Sequence, residues 1–94
     1  MTKAKCLTKR EFRRTNIAGS FFVEPHGDGD FSFWYRCPCG CGLQGPLLVG
    51  RERKPDISPS WTWNGSTDKP TLQPSVNHEG HWHGWLIDGE WKVC

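Results

Sequence analysis

The sequence predicts a small, mostly β domain that a bound metal ion helps to stabilise. Short runs of β-forming and aromatic residues alternate with Gly, Pro and Asn-Gly turn signals along most of the chain. Hydrophobic residues make up only 35% of the 94 residues. A domain with so small a hydrophobic core usually needs additional stabilisation from disulfides or a bound metal ion. Three cysteines, Cys37, Cys39 and Cys41, fall within five residues and could supply it.

The chain has room for one domain, preceded by a basic segment. We expect residues 1–20 to form a flexible N-terminal arm and residues 21–94 to form the metal-stapled β domain. The arm could contact a nucleic acid or an acidic protein surface through its cationic side chains. These are Lys3, Lys5, Lys9, Arg10, Arg13 and Arg14.

Seven segments have the composition of strands, and no long helix is predicted. They are 21–23, 31–36, 47–49, 61–63, 70–76, 82–87 and 90–93. The last two flank Asp88-Gly89, a two-residue turn signal that predicts a hairpin. Segment 70–76 contains a Pro at its start and another inside it, which favours an edge position.

The cysteine cluster and a pair of histidines near the other end predict one zinc ion. Zinc takes four thiolate or imidazole ligands, and the candidates are Cys37, Cys39, Cys41, His81 and His83. On a strand, His81 and His83 would share a face with Cα atoms roughly 6.5 Å apart. Cys39, Cys41 and His83 are the first choices, and Cys37 and His81 compete for the fourth position.

The chain is expected to stay in the cytoplasm, without membrane contact. Its basic N-terminus lacks the apolar stretch of a signal peptide, and no run approaches the length of a membrane span. In a reducing compartment, clustered thiols hold metal more often than they form disulfides. Cys6 and Cys94 are then expected to be free thiols.

Motifs for catalysis were not recognised in the sequence. There is no phosphate loop, dinucleotide fingerprint, zinc deaminase signature or evident Ser-His-Asp set. We therefore expect no catalytic residues, no organic cofactor site and no enzyme activity.

Two resemblances add to this interpretation. His81-Trp82-His83-Gly84-Trp85 resembles the second cluster-binding box of Rieske proteins, Cys-x-x-His-Gly-Trp, with His83 in the place of the ligand. Gly80 stands where that box has Cys, so a zinc-ribbon or Rieske-like β domain is implied and a [2Fe–2S] centre is not expected.

Residues 31–93 are also similar, motif by motif, to small uncharacterised phage and bacterial proteins often mislabelled ammonia monooxygenase. The shared motifs are Cys-Pro-Cys-Gly-Cys-Gly, Trp-Thr-Trp-Asn-Gly, Pro-Thr-Leu-x-Pro-Ser and Trp-His-Gly-Trp-Leu-x-Asp-Gly-Glu-Trp. The resemblance implies a compact zinc-type domain in a phage or prophage setting.

Together these observations favour a non-enzymatic binding or regulatory module of phage type, acting on a host protein or on nucleic acid, for example in counter-defence. Two alternatives stay open. One is a metal-dependent enzyme or Rieske-like redox protein, and the other is a structural or accessory virion protein.

Overall fold

The computed structural model describes residues 2–94 and confirms the mostly β class. Eight strands form one sheet, and a six-residue helix, α1 (Lys9–Arg14), lies between the first two. The strands are β1 (Thr2–Lys3), β2 (Phe21–Gly27), β3 (Asp30–Arg36), β4 (Gln44–Arg51), β5 (Trp61–Trp63), β6 (Leu72–His78), β7 (Trp82–Ile87) and β8 (Glu90–Val93). Each segment predicted as a strand lies in one of these elements or overlaps it.

The sheet has the strand order β1-β8-β7-β6-β5-β4-β3-β2 and curls until its two edges meet. Cys6, just after β1, pairs in parallel with Phe21 of β2. The Phe21 amide donates to the Lys5 carbonyl at 2.9 Å, and its carbonyl accepts from the Leu7 amide at 2.8 Å. These backbone bonds satisfy groups that an open edge would expose.

The interior of the curled sheet is filled by alternating side chains from its strands. Phe21 and Phe33 stack with centroids 4.6 Å apart, and Tyr35 packs against Trp91 at 5.5 Å. Phe21, Phe33, Val49, Leu72, Val76 and Leu86 are fully buried. This aromatic core compensates for the low hydrophobic content of the chain.

Residues 2–20, which belong to the segment expected to be a flexible arm, pack onto this sheet. Thr8 caps α1 in a capping box with Glu11, and the helix buries Phe12 completely. Phe12 meets Phe22 edge to face at 4.9 Å, and Arg36 lies over its ring. The hydrophobic residues among the basic ones hold this segment in place.

Segment 70–76 was predicted to be an edge strand, which is wrong. β6 pairs with β5 on one side and with β7 on the other. The pairing register with β7 shifts between Leu72 and Val76. Pro74 lies within this irregular stretch, where its missing backbone N–H does not remove a hydrogen bond from the regular ladder. Within residues 2–94, the structure contains no helix with the length and apolar character needed to span a bilayer.

Candidate functional site

Ser75 and His83 lie side by side on the outer surface of the curled sheet. The backbone pair Val76–Gly84 joins β6 to β7, and both of these residues are buried on the core side. Their neighbours Ser75 and His83 therefore point outward, because successive side chains of a strand alternate between faces. Ser75 is half-buried and His83 is exposed.

The two side chains are in hydrogen-bond contact. Ser75 Oγ lies 3.1 Å from Nε2 of His83. This is the contact by which an imidazole takes the proton of a serine nucleophile. Within residues 2–94, this is the one hydrogen bond that the His83 ring makes. The arrangement therefore lacks the carboxylate that orients the histidine in a catalytic triad.

The backbone around both residues is firmly held. Trp61 on β5 donates its indole N–H to the Ser75 carbonyl at 3.1 Å. On the other side, the His83 carbonyl accepts from the Cys94 amide at 3.0 Å, which continues the pairing of β7 with β8. Both residues thus lie on interior strands of the sheet, where position is well defined.

A second Ser–His contact is present on the hairpin formed by β2 and β3. Ser32 Oγ lies 3.3 Å from Nδ1 of His26. This contact is longer, uses the other ring nitrogen, and lies beside the register shift between Pro25 and Gly27. The Ser75–His83 pair has the better geometry for proton transfer.

Three of the five predicted metal ligands come together. The sulfur atoms of Cys37, Cys39 and Cys41 all lie within 4.8 Å of one another, so these residues could hold a metal ion. Cys37 is buried, whereas Cys39 and Cys41 are exposed. Burial raises the pKa of the Cys37 thiol to about 12, and the hydrogen bond from Cys37, at 3.2 Å, lowers the pKa of Cys39.

The loop that carries these thiols is fixed by the chain around it. The Cys37 amide donates to the Leu43 carbonyl at 2.8 Å, which closes the loop between β3 and β4. Arg36 reaches across it and donates to the carbonyls of Gly42 at 2.9 Å and Phe12 at 2.7 Å. The thiols therefore converge on a prearranged loop.

The two predicted histidine ligands are not part of this thiol group. His83 is on the outer surface with Ser75, and His81 lies in the turn before β7, where its amide donates to the His78 carbonyl at 2.9 Å. β7 begins at Trp82, so His81 lies outside the strand and the alternation of strand faces does not define the direction of its side chain. The His81 ring instead packs 5.3 Å from that of His78.

His78 links this turn to the end of the curled sheet at which the three thiols lie. Its Nδ1 lies 3.0 Å from the hydroxyl of Tyr35. The pKa of Tyr35 is raised to about 12, chiefly by burial and further by the negative charge of nearby Cys37 and Cys41. All five cysteines, Cys6 and Cys94 included, are free thiols.

Ser75 was missed as a functional residue by sequence reasoning. It ends the Pro-Thr-Leu-x-Pro-Ser motif, and His83 stands in the Trp-His-Gly-Trp motif. Each motif draws attention to one of the two residues, but only the pairing of β6 with β7 brings their side chains into contact.

The cationic side chains of the N-terminal segment are grouped mainly on α1. Lys9, Arg10, Arg13 and Arg14 line one shallow surface, and Lys9 forms an ion pair with Glu24 at 3.1 Å. Contact of this surface with a host protein or a nucleic acid stays a prediction.

Comparison with known proteins identifies a family for this chain. A family model described as "Bacterial ubiquitination-like system serine protease (BubE)" matches residues 8–94. Neither the curated proteins nor the solved structures contain a match to the chain.

This match corrects two expectations. The family is described as a serine protease, so the prediction of a non-enzymatic phage zinc-binding module is wrong, as is the prediction that the chain is not an enzyme. The family is described as bacterial, and it is not the ammonia monooxygenase-labelled group that the motifs resemble.

Proposed function

Because this chain belongs to the BubE family of bacterial ubiquitination-like system serine proteases, we propose that it cleaves polypeptides with Ser75 as nucleophile and His83 as general base. The observation that supports this assignment is the 3.1 Å contact between Ser75 Oγ and His83 Nε2 on the outer face of β6 and β7. The family description gives the reaction class, and the contact gives the residues.

The proposed reaction has two halves. In the first, Ser75 Oγ attacks the carbonyl carbon of the scissile bond while His83 Nε2 takes the hydroxyl proton. His83 then gives this proton to the leaving amine as the C–N bond breaks, which leaves an acyl ester on Ser75. In the second, His83 takes a proton from water and the hydroxide attacks the ester carbonyl; the bond from the acyl carbon to Ser75 Oγ then breaks, the carboxylic acid product leaves, and the proton returns from His83 to Ser75 Oγ.

The exposed position of the pair fits a macromolecular substrate. Ser75 and His83 lie on the convex surface of the sheet and not inside a closed cavity. A folded or extended polypeptide can therefore approach the nucleophile directly. A polypeptide that takes part in the ubiquitination-like system named in the family description is the expected substrate.

The test is cleavage of unfolded casein by the wild type, Ser75→Ala and Ser32→Ala. Loss of cleavage in Ser75→Ala with retention in Ser32→Ala supports the assignment, because Ser32 has the same kind of histidine contact on another strand pair. The reverse pattern would assign catalysis to Ser32 and His26.

For the thiol cluster, we propose a zinc ion with a structural role. Three close cysteines match the preference of zinc for thiolate ligands, and Gly40 and Gly42 at φ 87° and 85° provide the tight turns between them. His81 is proposed as the fourth ligand, and its contact with His78, which in turn contacts Tyr35 near the thiols, supports this choice. The ion would fix the loop between β3 and β4.

A further inference from the structure

We propose that the outer face of β6 and β7 next to Ser75 is a specificity subsite, and that it binds an uncharged, apolar side chain of the substrate close to the scissile bond. The proposal rests on the assignment of Ser75 and His83 as the catalytic pair. It names a feature of the substrate that the family description does not contain.

A shallow depression of about 340 Å³ lies on this face. Its wall is formed by Thr71, Leu72, Gln73, Trp85 and Ile87. Gln73 precedes Ser75 by two residues on β6, and Trp85 follows His83 by two residues on β7. Because two residues along β7 span about 6.6 Å, the Trp85 side of the depression is one or two substrate residues away from His83 and its partner Ser75.

The residues that line the depression disfavour a charged substrate side chain. None of its five lining residues is ionisable, and Trp85 and Ile87 contribute apolar side chains to it, whereas the side chain of Leu72 is buried in the core. By contrast, the depression at the other end of the hairpin, around Asp88 and Glu90, is also lined by Lys3, Asp68 and Lys69. A charged substrate side chain in the depression would lose hydration without gaining an ionic partner among the five lining residues.

Trp85 is the residue most affected by substrate binding. It is 39% exposed, and it is the one aromatic among the exposed large hydrophobic side chains of residues 2–94. Covering an indole with an apolar group removes a large apolar area from water. Thr71 steadies the opposite wall, because its hydroxyl accepts from the Asp88 amide at 2.9 Å.

The experiment measures cleavage of a synthetic peptide library in which the residues flanking the scissile bond vary between Leu, Phe, Ala, Glu and Lys. We expect at least tenfold higher kcat/KM for Leu or Phe than for Glu or Lys at one flanking position, in line with typical discrimination by an apolar pocket. In Trp85→Ala this preference should fall below threefold. Preference for Glu, which Lys92 opposite Trp85 on β8 would attract, overturns the proposal.

A second variant and a labelling assay keep the interpretation clear. Gln73→Lys adds a positive charge at the exposed rim, and it should raise cleavage of the Glu peptide relative to the Lys peptide. Ile57→Ala removes an apolar side chain that is more exposed than Trp85 and lies on the loop between β4 and β5, away from Ser75, and it should leave the preference unchanged. Failure of Ser75 to react with a fluorophosphonate probe overturns the catalytic assignment. Normal labelling without a Trp85-dependent preference overturns the subsite alone.

Discussion

Ser75 Oγ and His83 Nε2 lie 3.1 Å apart because β6 and β7 pair in a register that puts both residues on the outer face of the sheet. Asn77 is the direct partner of His83, so Ser75, two residues earlier, is its diagonal neighbour. Diagonal neighbours in an antiparallel pair have Cα atoms about 7–8 Å apart, a distance that an imidazole can bridge to reach a serine hydroxyl.

The first prediction concerns His83. His83→Gly should lower kcat for peptide cleavage by about 10²- to 10⁴-fold, because general base catalysis contributes an effect of this size. Added imidazole should restore part of the lost rate by occupying the space of the missing ring. His26→Gly is the matched control and should keep wild-type kcat, since His26 contacts Ser32 and not Ser75. Equal losses in the two variants would contradict the assignment of the base.

The second prediction concerns the thiol cluster. The wild-type protein, analysed for metals after purification, should contain about one zinc ion per chain, since structural zinc takes four ligands at a single site. Cys39→Ser should lose this zinc and melt at a lower temperature, because the free energy of metal binding contributes to folding. Cys6→Ser should keep both, since Cys6 is also exposed but lies outside the thiol group. Full zinc content in Cys39→Ser would refute the proposed ligand set.

The third prediction concerns Gly84, the residue between His83 and Trp85. A Cβ at this position would lie 2.6 Å from the Trp82 ring and would also press on the Lys92 carbonyl. Gly84→Ala should lower the free energy of unfolding by about 1–3 kcal/mol, the usual cost of overpacking. Urea denaturation measures this loss. Gly45→Ala, where a Cβ would meet nothing within 4 Å, is the control and should change stability little.

The fourth prediction concerns Glu24, which accepts from Lys9 at 3.1 Å and from the Trp34 indole at 3.0 Å. The hydrogen bond from Lys9 is the main cause that holds the pKa of Glu24 below its ordinary 4.5. A lowered pKa means that this carboxylate stabilises the fold above pH 4.5. The contribution is lost as the pH falls through the pKa of the folded state.

Glu24→Gln should accordingly melt at a lower temperature than the wild type at pH 7, and the difference should shrink toward pH 3. Thermal unfolding followed by circular dichroism at the two pH values measures it. Glu79→Gln is the control, since Glu79 takes part in none of the ion pairs within residues 2–94. A difference that grows on acidification would contradict the sign of this linkage.

The strands could be predicted from the sequence because their signals are local. Alternating aromatic residues mark residues 31–36 and 61–63, and the Asp88-Gly89 turn fixes the last hairpin, whose strands have the predicted bounds. Burial of the N-terminal segment was not predicted. Phe12 and its capping box are a weak local signal among many charges, and their partner Phe22 is supplied only by the fold.

The contact between Ser75 and His83 could not be predicted from the sequence because it depends on pairing between strands. A lone Ser and a lone His are common residues, and no sequence spacing distinguishes Ser75 from Ser32. His83 was predicted to bind metal on the assumption that it shares a strand face with His81. In the structure β7 begins at Trp82, and His81 lies in the turn before it.

The central claim is tested most directly by mapping where a fluorophosphonate probe attaches to the protein. Such probes form a covalent bond with a serine whose hydroxyl is activated by a neighbouring base. We predict one modified peptide, with the label on Ser75, and loss of this label in His83→Ala. Label on Ser32 or another serine, or undiminished labelling of Ser75 in His83→Ala, would contradict the account.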